Sequence, residues 1–252
     1  MKGVSVHFQQ ITKRFADSRG SEVTPIAELT FSLEAGSVTA LLGRSGCGKT
    51  TLLKITAGLL SATSGTIEFS DPAAKIGMVF QEPKLLPWKT VAENVALAVR
   101  HLPEAERRKR VAEVLARVGL SGWADALPGT ISGGMAQRAG LARALVGDPS
   151  LLLMDEPFGA LDALTRWTLQ DECVRLFEES DMTVFLITHD AREAVRLADR
   201  ILVLDEGRLT LDMPLTMPHP RSPEDPQLAH YERIVLDAIF RRNANDREGH
   251  TK

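Results

Sequence analysis

The sequence is short of cysteine, of long apolar runs and of net charge, and each shortage excludes a class of protein. The 252 residues include only two cysteines, Cys47 and Cys173, so a disulfide framework is excluded and a reducing compartment is expected. No window approaches the roughly 18 uninterrupted apolar residues of a membrane-spanning helix, and the first residues lack the apolar stretch of a signal peptide. A formal net charge of −3 lacks the excess of basic residues that is typical of a nucleic-acid-binding protein. We therefore expect a soluble chain without a nucleic-acid partner, and attachment to a membrane partner stays open.

One stretch, residues 43–51, contains the complete phosphate-binding loop pattern G-x-x-x-x-G-K-[ST]. Its members are Gly43, Arg44, Ser45, Gly46, Cys47, Gly48, Lys49, Thr50 and Thr51. The apolar run before it, residues 37–42, predicts a buried strand, and Leu52, Ile55 and Leu59 follow with the spacing of one helix face. A strand, a glycine-rich turn and a helix form the context that this motif requires.

The residue types explain how such a loop would bind a nucleotide. Glycines let consecutive backbone N–H groups converge on a phosphate at the positive end of a helix. Lys49 would reach the β- and γ-phosphates, and the Thr50 hydroxyl would ligate Mg²⁺. We interpret Cys47 as a small residue whose backbone N–H matters rather than as a reactive thiol. A nucleotide with Mg²⁺ is thus the expected ligand.

A pair of carboxylates follows the apolar run at residues 151–154 and predicts the other half of a nucleotide site. Asp155 would hold Mg²⁺ through water, and Glu156 would orient or deprotonate the attacking water. An apolar run that ends in Asp-Glu is a weak signal by itself. Together with a complete phosphate loop it becomes a strong one.

Between these two motifs, residues 131–138 read Ile-Ser-Gly-Gly-Met-Ala-Gln-Arg. Here the chain resembles the ATP-binding subunits of ABC transporters, over roughly residues 4–210. The family signature begins Leu-Ser-Gly-Gly-Gln, so this chain departs from it at Ile131 and Met135. The resemblance implies that the residues between those two contact ATP. They are Ser132, Gly133 and Gly134. Taken alone, Ser-Gly-Gly is also typical of a helix N-cap followed by flexible glycines.

Further landmarks of the resembled family follow in order. Gln81 matches its Q-loop glutamine, which senses Mg²⁺ and the γ-phosphate, and residues 158–162 match its D-loop. His189 ends a predicted strand, as the switch histidine does; a single histidine is more often structural, but ligands of parallel sheets bind at strand ends. Phe15 matches the aromatic residue on which adenine stacks in this family. Phe8, the other aromatic residue of this region, is expected to lie in the core instead.

The resemblance assigns roles to these residues. It implies that Glu156, His189 and Lys49 are catalytic. It implies that Thr50, Gln81 and Asp155 hold Mg²⁺, and that ATP is the nucleotide. The ATP-binding residues would be Phe15, the nine members of the phosphate loop, Gln81 and the signature residues Ser132, Gly133 and Gly134.

The fold that the resemblance implies is α/β, of the P-loop NTPase (RecA-like) class. It has a parallel-sheet core, an N-terminal antiparallel β-subdomain and a helical insert. We predict one ATP-binding domain over residues 1–252. Its parts are a core at 1–83 and 149–210, a helical subdomain at 84–148, and a C-terminal helix and tail at 211–252.

Local patterns agree with this division. Thr90 and Glu93 have the form of a capping box, and a helix with periodic apolar residues is predicted between Pro103 and Gly119. The polar residues 17–21 predict a loop. An amphipathic helix is predicted over about residues 228–240, before a polar tail.

The resemblance also implies partners and a place in the cell. Two copies would meet head to tail, so that the phosphate loop of one and the signature of the other sandwich each ATP. Integral membrane permease subunits would bind the dimer, and a periplasmic or extracellular solute-binding protein would act with it indirectly. The chain would lie peripherally on the cytoplasmic face of the inner membrane.

Three stretches are similar to the branch that imports nitrate, taurine and aliphatic sulfonates. They are Gly-Gly-Met-x-Gln-Arg, residues 85–88 and residues 158–166. The expected function is ATP hydrolysis coupled to solute uptake. The apolar residues 85–88 are the predicted docking segment for the permease, although a tryptophan such as Trp88 can also belong to a core. The alternative function is a non-transport ATPase of this type that remodels DNA or ribosomes.

Overall fold

The computed structural model describes residues 2–16, 22–222 and 224–240. The predicted loop at residues 17–21 and the polar tail beyond residue 240 lie outside the described residues. The strands are β1 (Val6–Ala16), β2 (Glu22–Leu33), β3 (Val38–Gly43), β4 (Ser64–Phe69), β5 (Ile76–Val79), β6 (Leu151–Asp155), β7 (Thr183–Ile187), β8 (Arg200–Asp205) and β9 (Arg208–Pro214). The helices are α1 (Lys49–Thr56), α2 (Val91–Ala96), α3 (Glu104–Arg117), α4 (Gly133–Leu145), α5 (Ala163–Glu178), α6 (Ala191–Leu197) and α7 (Pro226–Phe240).

The chain divides into two compact units. The first consists of Met1–Ser5, Glu34–Gly36 and Ser70–Phe185, and the second of Val6–Leu33, Ser37–Phe69 and Leu186–Lys252. The chain passes from the first to the second within β7. The boundaries that we predict for the core, the helical subdomain and the C-terminal segment remain a prediction.

The second unit contains a three-stranded antiparallel sheet with the order β2-β1-β4. Strand β1 is continuous from Val6 to Ala16. Its registers with β2 and β4 shift after Phe8 and Gln9, beside Gln10, which has a positive φ of 51°. Such an irregularity bends a strand without ending it. Phe8 is buried and stacks on Phe31 with ring centroids 4.1 Å apart, so it has the core role.

The second unit also holds the strand that leads into the phosphate loop. All six residues of β3 are buried, as expected for a strand covered on both faces. It pairs in parallel with β8, and β8 forms an antiparallel hairpin with β9. The two strands of this hairpin are joined by Glu206 and Gly207.

The first unit combines parallel strands with helices. Strands β5 and β6 pair in parallel, with Ile76 opposite Leu151. The capping box at the start of α2 is confirmed, since Thr90 Oγ1 accepts from the Glu93 N–H at 3.2 Å and the Glu93 carboxylate accepts from the Thr90 N–H at 2.8 Å. In the part of the chain that the structure describes, every helix is too short or too polar to cross a bilayer.

Candidate nucleotide-binding site

The phosphate loop joins β3 to α1 in the second unit, and its backbone leaves no room for side chains at two glycines. A Cβ on Gly43 would lie 2.2 Å from the Leu204 carbonyl oxygen. Gly48 has a φ of 106°, and a Cβ there would lie 2.4 Å from the Pro25 carbonyl oxygen. Only glycine fits both positions. The sequence motif thus corresponds to a tightly packed turn in this structure.

Lys49 points its ammonium group into this turn. Its side chain is buried, and Nζ donates to the carbonyl oxygens of Gly43 at 2.7 Å and Arg44 at 2.9 Å. Gly48 is the N-cap of α1, and none of the described side chains hydrogen-bonds to that helix start as a cap. A helix N-terminus with a buried cation beside it stabilises a phosphate group. The loop therefore fits the polyphosphate of a nucleotide.

We interpret Cys47 as a packing residue rather than a reactive thiol, and its surroundings support this interpretation. Its side chain is half-buried, and Sγ lies 3.9 Å from Lys49 Nζ. Burial raises the pKa of this thiol, and the opposing effect of Lys49 does not cancel the rise. The thiol therefore stays protonated at neutral pH, and a nucleophilic role is not supported.

His189 belongs to the same unit as the phosphate loop. The preceding Thr188 donates its N–H to the Leu41 carbonyl oxygen at 3.2 Å, which puts the end of β7 beside β3. The His189 side chain is exposed, and Asp190 after it accepts from the Arg192 N–H at 2.9 Å at the start of α6. The predicted position at a strand end is confirmed.

Phe15 lies near the end of β1, opposite Val23 of β2. Its side chain is 41% exposed, whereas Phe8 is 1% exposed. Because stacking requires an accessible ring face, Phe15 can offer a platform and Phe8 cannot. Lys13 Nζ lies over the Phe15 ring, 5.0 Å from its centroid. No sequence motif points to this lysine.

The carboxylate pair and Gln81 belong to the first unit. Asp155 is the last residue of β6, and Glu156 follows with a positive φ of 45°, which is uncommon for a residue other than glycine. A Cβ on Gly159 would lie 3.5 Å from Gln81 Nε2 and 3.9 Å from Glu156 Oε2. Gln81 and Glu156, 75 positions apart in the sequence, are therefore brought together around one glycine.

The signature segment begins α4 in the first unit. Ser132 is its N-cap, and Ser132 Oγ accepts from the Met135 N–H at 3.3 Å. Ser132 and Gly133 are exposed. A Cβ on Gly134 would lie 2.4 Å from Thr165 Cγ2. The helix-cap role that Ser-Gly-Gly suggests is thus present, and packing against α5 supplies a separate reason for Gly134.

Two residues of α4 that sequence reasoning missed attach this helix to the segment around Gln81. Gln137 Nε2 donates to the Phe80 carbonyl oxygen at 3.0 Å, and Arg143 donates to the carbonyl oxygens of Pro83 at 2.5 Å and Lys84 at 3.0 Å. Burial lowers the pKa of Arg143. The sequence signal that could have identified these two residues is a long polar side chain on the inward side of a predicted helix. Their partners are backbone groups, which no motif identifies.

Asn94 was also missed, and it orders the predicted docking segment. Its side chain is completely buried and lies within hydrogen-bond distance of four backbone groups of residues 86–90. Trp88 is 71% exposed, so it does not belong to the core of the described chain. A buried asparagine thus holds a segment that exposes a tryptophan.

The donor set that we predict for Mg²⁺ consists of a hydroxyl, an amide and a carboxylate, on Thr50, Gln81 and Asp155. Hard oxygen ligands of this kind suit Mg²⁺, which keeps several water ligands. Among the described residues there is no group of three or more histidine, cysteine, aspartate or glutamate side chains that could hold a metal ion.

Known proteins are similar to this chain over most of its length. The family model described as ABC transporter matches residues 26–159. An aliphatic sulfonates import ATP-binding protein of Streptomyces avermitilis is 46% identical over 235 residues, which cover 93% of this chain and 90% of the relative. One of Agrobacterium fabrum is 43% identical over 241 residues, which cover 95% and 85%.

A solved structure is similar as well. It is a dimeric ATP-binding cassette in a post-hydrolysis state, bound to ADP and phosphate, with a TM-score of 0.75 and 30% identity. The match covers 84% of this chain and all of the other. These similarities confirm the predicted fold class. The alternative of an ATPase that remodels DNA or ribosomes is not favoured by them.

Proposed function

We propose that this chain, which belongs to the ABC transporter family, is the ATP-hydrolysing subunit of an importer for aliphatic sulfonates. The observation that carries the ATPase activity is the phosphate loop, with its two tightly packed glycines and its buried Lys49. The solute is proposed from the relatives, which are named for aliphatic sulfonate import. This choice is narrower than the three solute classes that the sequence indicates.

Each motif has a role in this proposal. Lys49 and the N–H groups at the start of α1 bind the polyphosphate. Phe15 stacks on adenine. Glu156 accepts a proton from the attacking water, and its positive φ is the kind of backbone strain that functional residues tolerate. His189 orients the reacting groups at the end of its strand.

Mg²⁺ would be held by Thr50, Gln81 and Asp155. When bound, it supplies positive charge that neutralises the phosphate oxygens. The ends of the Gln81 and Glu156 side chains both lie near Gly159. We propose that this position beside the proposed base makes Gln81 a sensor of the nucleotide state.

A second copy of the chain is the first proposed partner. The similar solved structure is a dimer. Ser132 and Gly133 are exposed at the N-terminus of α4, where backbone N–H groups attract anions. We propose that this helix end binds the phosphates of ATP held by the other copy, head to tail.

A membrane permease is the second proposed partner. The exposed Trp88, on a segment ordered by Asn94, has the character of an interface anchor. The first unit also has a cavity of about 630 Å³ that is lined by apolar and basic side chains. Its side chains that can carry positive charge are Lys75, His101, Arg110 and Arg143. An amphipathic permease segment with acidic residues fits such a surface, and the chain would then lie peripherally at the cytoplasmic face of the membrane. A solute-binding protein outside the membrane would act with it indirectly.

The experiment is to substitute the proposed base and to measure binding and turnover separately. Glu156→Gln should bind ATP normally, lose about 10²–10⁴-fold in hydrolysis because the general base is gone, and accumulate as an ATP-bound dimer in size-exclusion chromatography. Glu178→Gln, at the exposed end of α5, is the matched control and should behave like the wild type. Near-normal hydrolysis by Glu156→Gln would remove that residue from the role.

The solute requires the assembled transporter. Co-purification with the permease, followed by reconstitution in vesicles with the solute-binding protein, should give ATP-dependent uptake of an aliphatic sulfonate. Uptake of nitrate alone would contradict the proposed solute and leave the ATPase assignment intact.

A further inference from the structure

Lys13 makes two contacts that no motif explains. Its ammonium group lies over the ring of Phe15, 5.0 Å from the centroid. The same group donates to the Ser61 carbonyl oxygen at 2.8 Å. The Lys13 side chain is half-buried, unlike that of Arg14 beside it, which is exposed. Lys13 is thus fixed between a ring and a carbonyl oxygen.

The Ser61 end of this bridge belongs to the chain that follows α1. Thr63 nearby adds two bonds to β1: its N–H donates to the Thr12 carbonyl oxygen at 2.7 Å, and its Oγ1 accepts from the Arg14 N–H at 3.0 Å. Three hydrogen bonds therefore fasten the end of β1 to the segment after α1. Since α1 begins at Lys49 of the phosphate loop, the ring is tied to the helix that the loop opens.

We propose that Lys13 is a positioning residue for the adenine platform. A cation over an aromatic face is attracted by the ring electrons, so Lys13 covers one face of Phe15 and fixes the ring plane. The base then stacks on the other face. This inference rests on the proposed role of Phe15 in ATP binding.

The expected effect is specific to ligands that carry a base. A cation–ring contact at a partly exposed site changes affinity by about 2- to 5-fold. Removing the Lys13 charge should therefore lower the affinity for ADP by that factor. Inorganic pyrophosphate has the same phosphate chemistry but no base, so its affinity should not change.

The experiment measures ADP and pyrophosphate binding to the full chain by calorimetry, with Mg²⁺ present. Lys13→Met removes the charge at similar length, and Lys13→Arg keeps a cation that can stack on the ring. Arg14→Met removes the same charge from the neighbouring exposed position and is the matched control. Phe15→Ala and the double variant Lys13→Met with Phe15→Ala complete a thermodynamic cycle.

The expected result is that Lys13→Met lowers the affinity for ADP about 2- to 5-fold and leaves the affinity for pyrophosphate unchanged. Lys13→Arg and Arg14→Met should bind both ligands normally, and Lys13→Met should add nothing once Phe15 is alanine. Thermal unfolding checks that the variants are folded, and Lys13→Gln replaces the methionine variant if that one does not fold.

Two results would overturn the inference while the platform stands. The first is an unchanged ADP affinity in Lys13→Met, and the second is an equal loss of affinity for ADP and pyrophosphate in that variant. Both apply when Phe15→Ala binds ADP more weakly than the wild type. A Phe15→Ala variant that binds ADP normally would instead contradict the platform itself, and the inference with it.

Discussion

The hydrogen bonds of Asn94 predict how its loss affects stability. Asn94 Oδ1 accepts from the Leu86 N–H at 2.7 Å. Its Nδ2 group lies within hydrogen-bond distance of three carbonyl oxygens, on Leu86 at 3.1 Å, Lys89 at 3.0 Å and Thr90 at 2.9 Å. Leucine has the same number and branching of side-chain heavy atoms as asparagine but no polar atoms. Asn94→Leu therefore removes the four contacts without leaving a cavity.

The magnitude follows from the number and exposure of the partners. The Asn94 N–H₂ group has two protons, so with the accepting Oδ1 at most three full hydrogen bonds form at one time. A net contribution of about 1 kcal/mol for each gives about 3 kcal/mol. The partner residues are half-buried, so water can replace some of the lost bonds. We expect the free energy of unfolding to fall by about 2–3 kcal/mol.

The assay is urea unfolding followed by tryptophan fluorescence and by circular dichroism, with Trp88→Ala as the comparison variant. Because Trp88 is 71% exposed, its truncation should change the free energy of unfolding by at most about 0.5 kcal/mol. Both variants should bind the permease less well, Trp88→Ala by losing the anchor and Asn94→Leu by disordering the segment that carries it.

Two outcomes would refute this reasoning. If Asn94→Leu were as stable as the wild type, the four contacts would contribute nothing net. If Trp88→Ala were strongly destabilised, the tryptophan would have a packing role that its exposure does not indicate.

Two other predictions concern the signature and the response to acid. Ser132→Ala should lower the free energy of unfolding by about 1 kcal/mol through loss of the helix cap. It should also impair ATP hydrolysis by the dimer, while the monomer keeps its affinity for ATP. Loss of ATP binding by the monomer would contradict the head-to-tail arrangement. Burial alone would raise the pKa of Asp199, but hydrogen bonds from His219 and from the Val38 N–H lower it overall. A lowered folded-state pKa means that this carboxylate contributes stability above about pH 4, which is lost as the pH falls through the folded value. In thermal melts between pH 7 and pH 3, Asp199→Asn should therefore lose less stability than the wild type does, and equal slopes would count against this role.

The parts of the site that the sequence predicts are those set by neighbouring residues. The packing of Gly43 against Leu204 and of Gly48 against Pro25 is not visible in the motif. The phosphate loop is nevertheless recognised locally, because nine consecutive residues carry its motif. The capping box of Thr90 and Glu93 and the N-cap Ser132 are local for the same reason. Their side chains bond to backbone groups three positions away.

The parts that the sequence does not predict depend on residues far apart in the chain. Gln81 and Glu156 meet around Gly159, and Gly134 is required by the approach of Thr165. The continuity of β1 through Gln10 depends on registers with two partner strands. Such contacts leave no periodic signal, because each is a single pair of side chains or a single shift in register.

The attachments of α4 show how nucleotide contact and partner contact would be connected within one unit. Ser132 caps the start of this helix, and Gln137 and Arg143 bind the backbone around Gln81. The chain after Gln81 continues into the segment that Asn94 holds. A shift of α4 that kept these bonds intact would carry residues 80–84 with it. Under the proposed function, ATP contact at Ser132 therefore changes the position of the docking segment through bonded backbone rather than through loose packing.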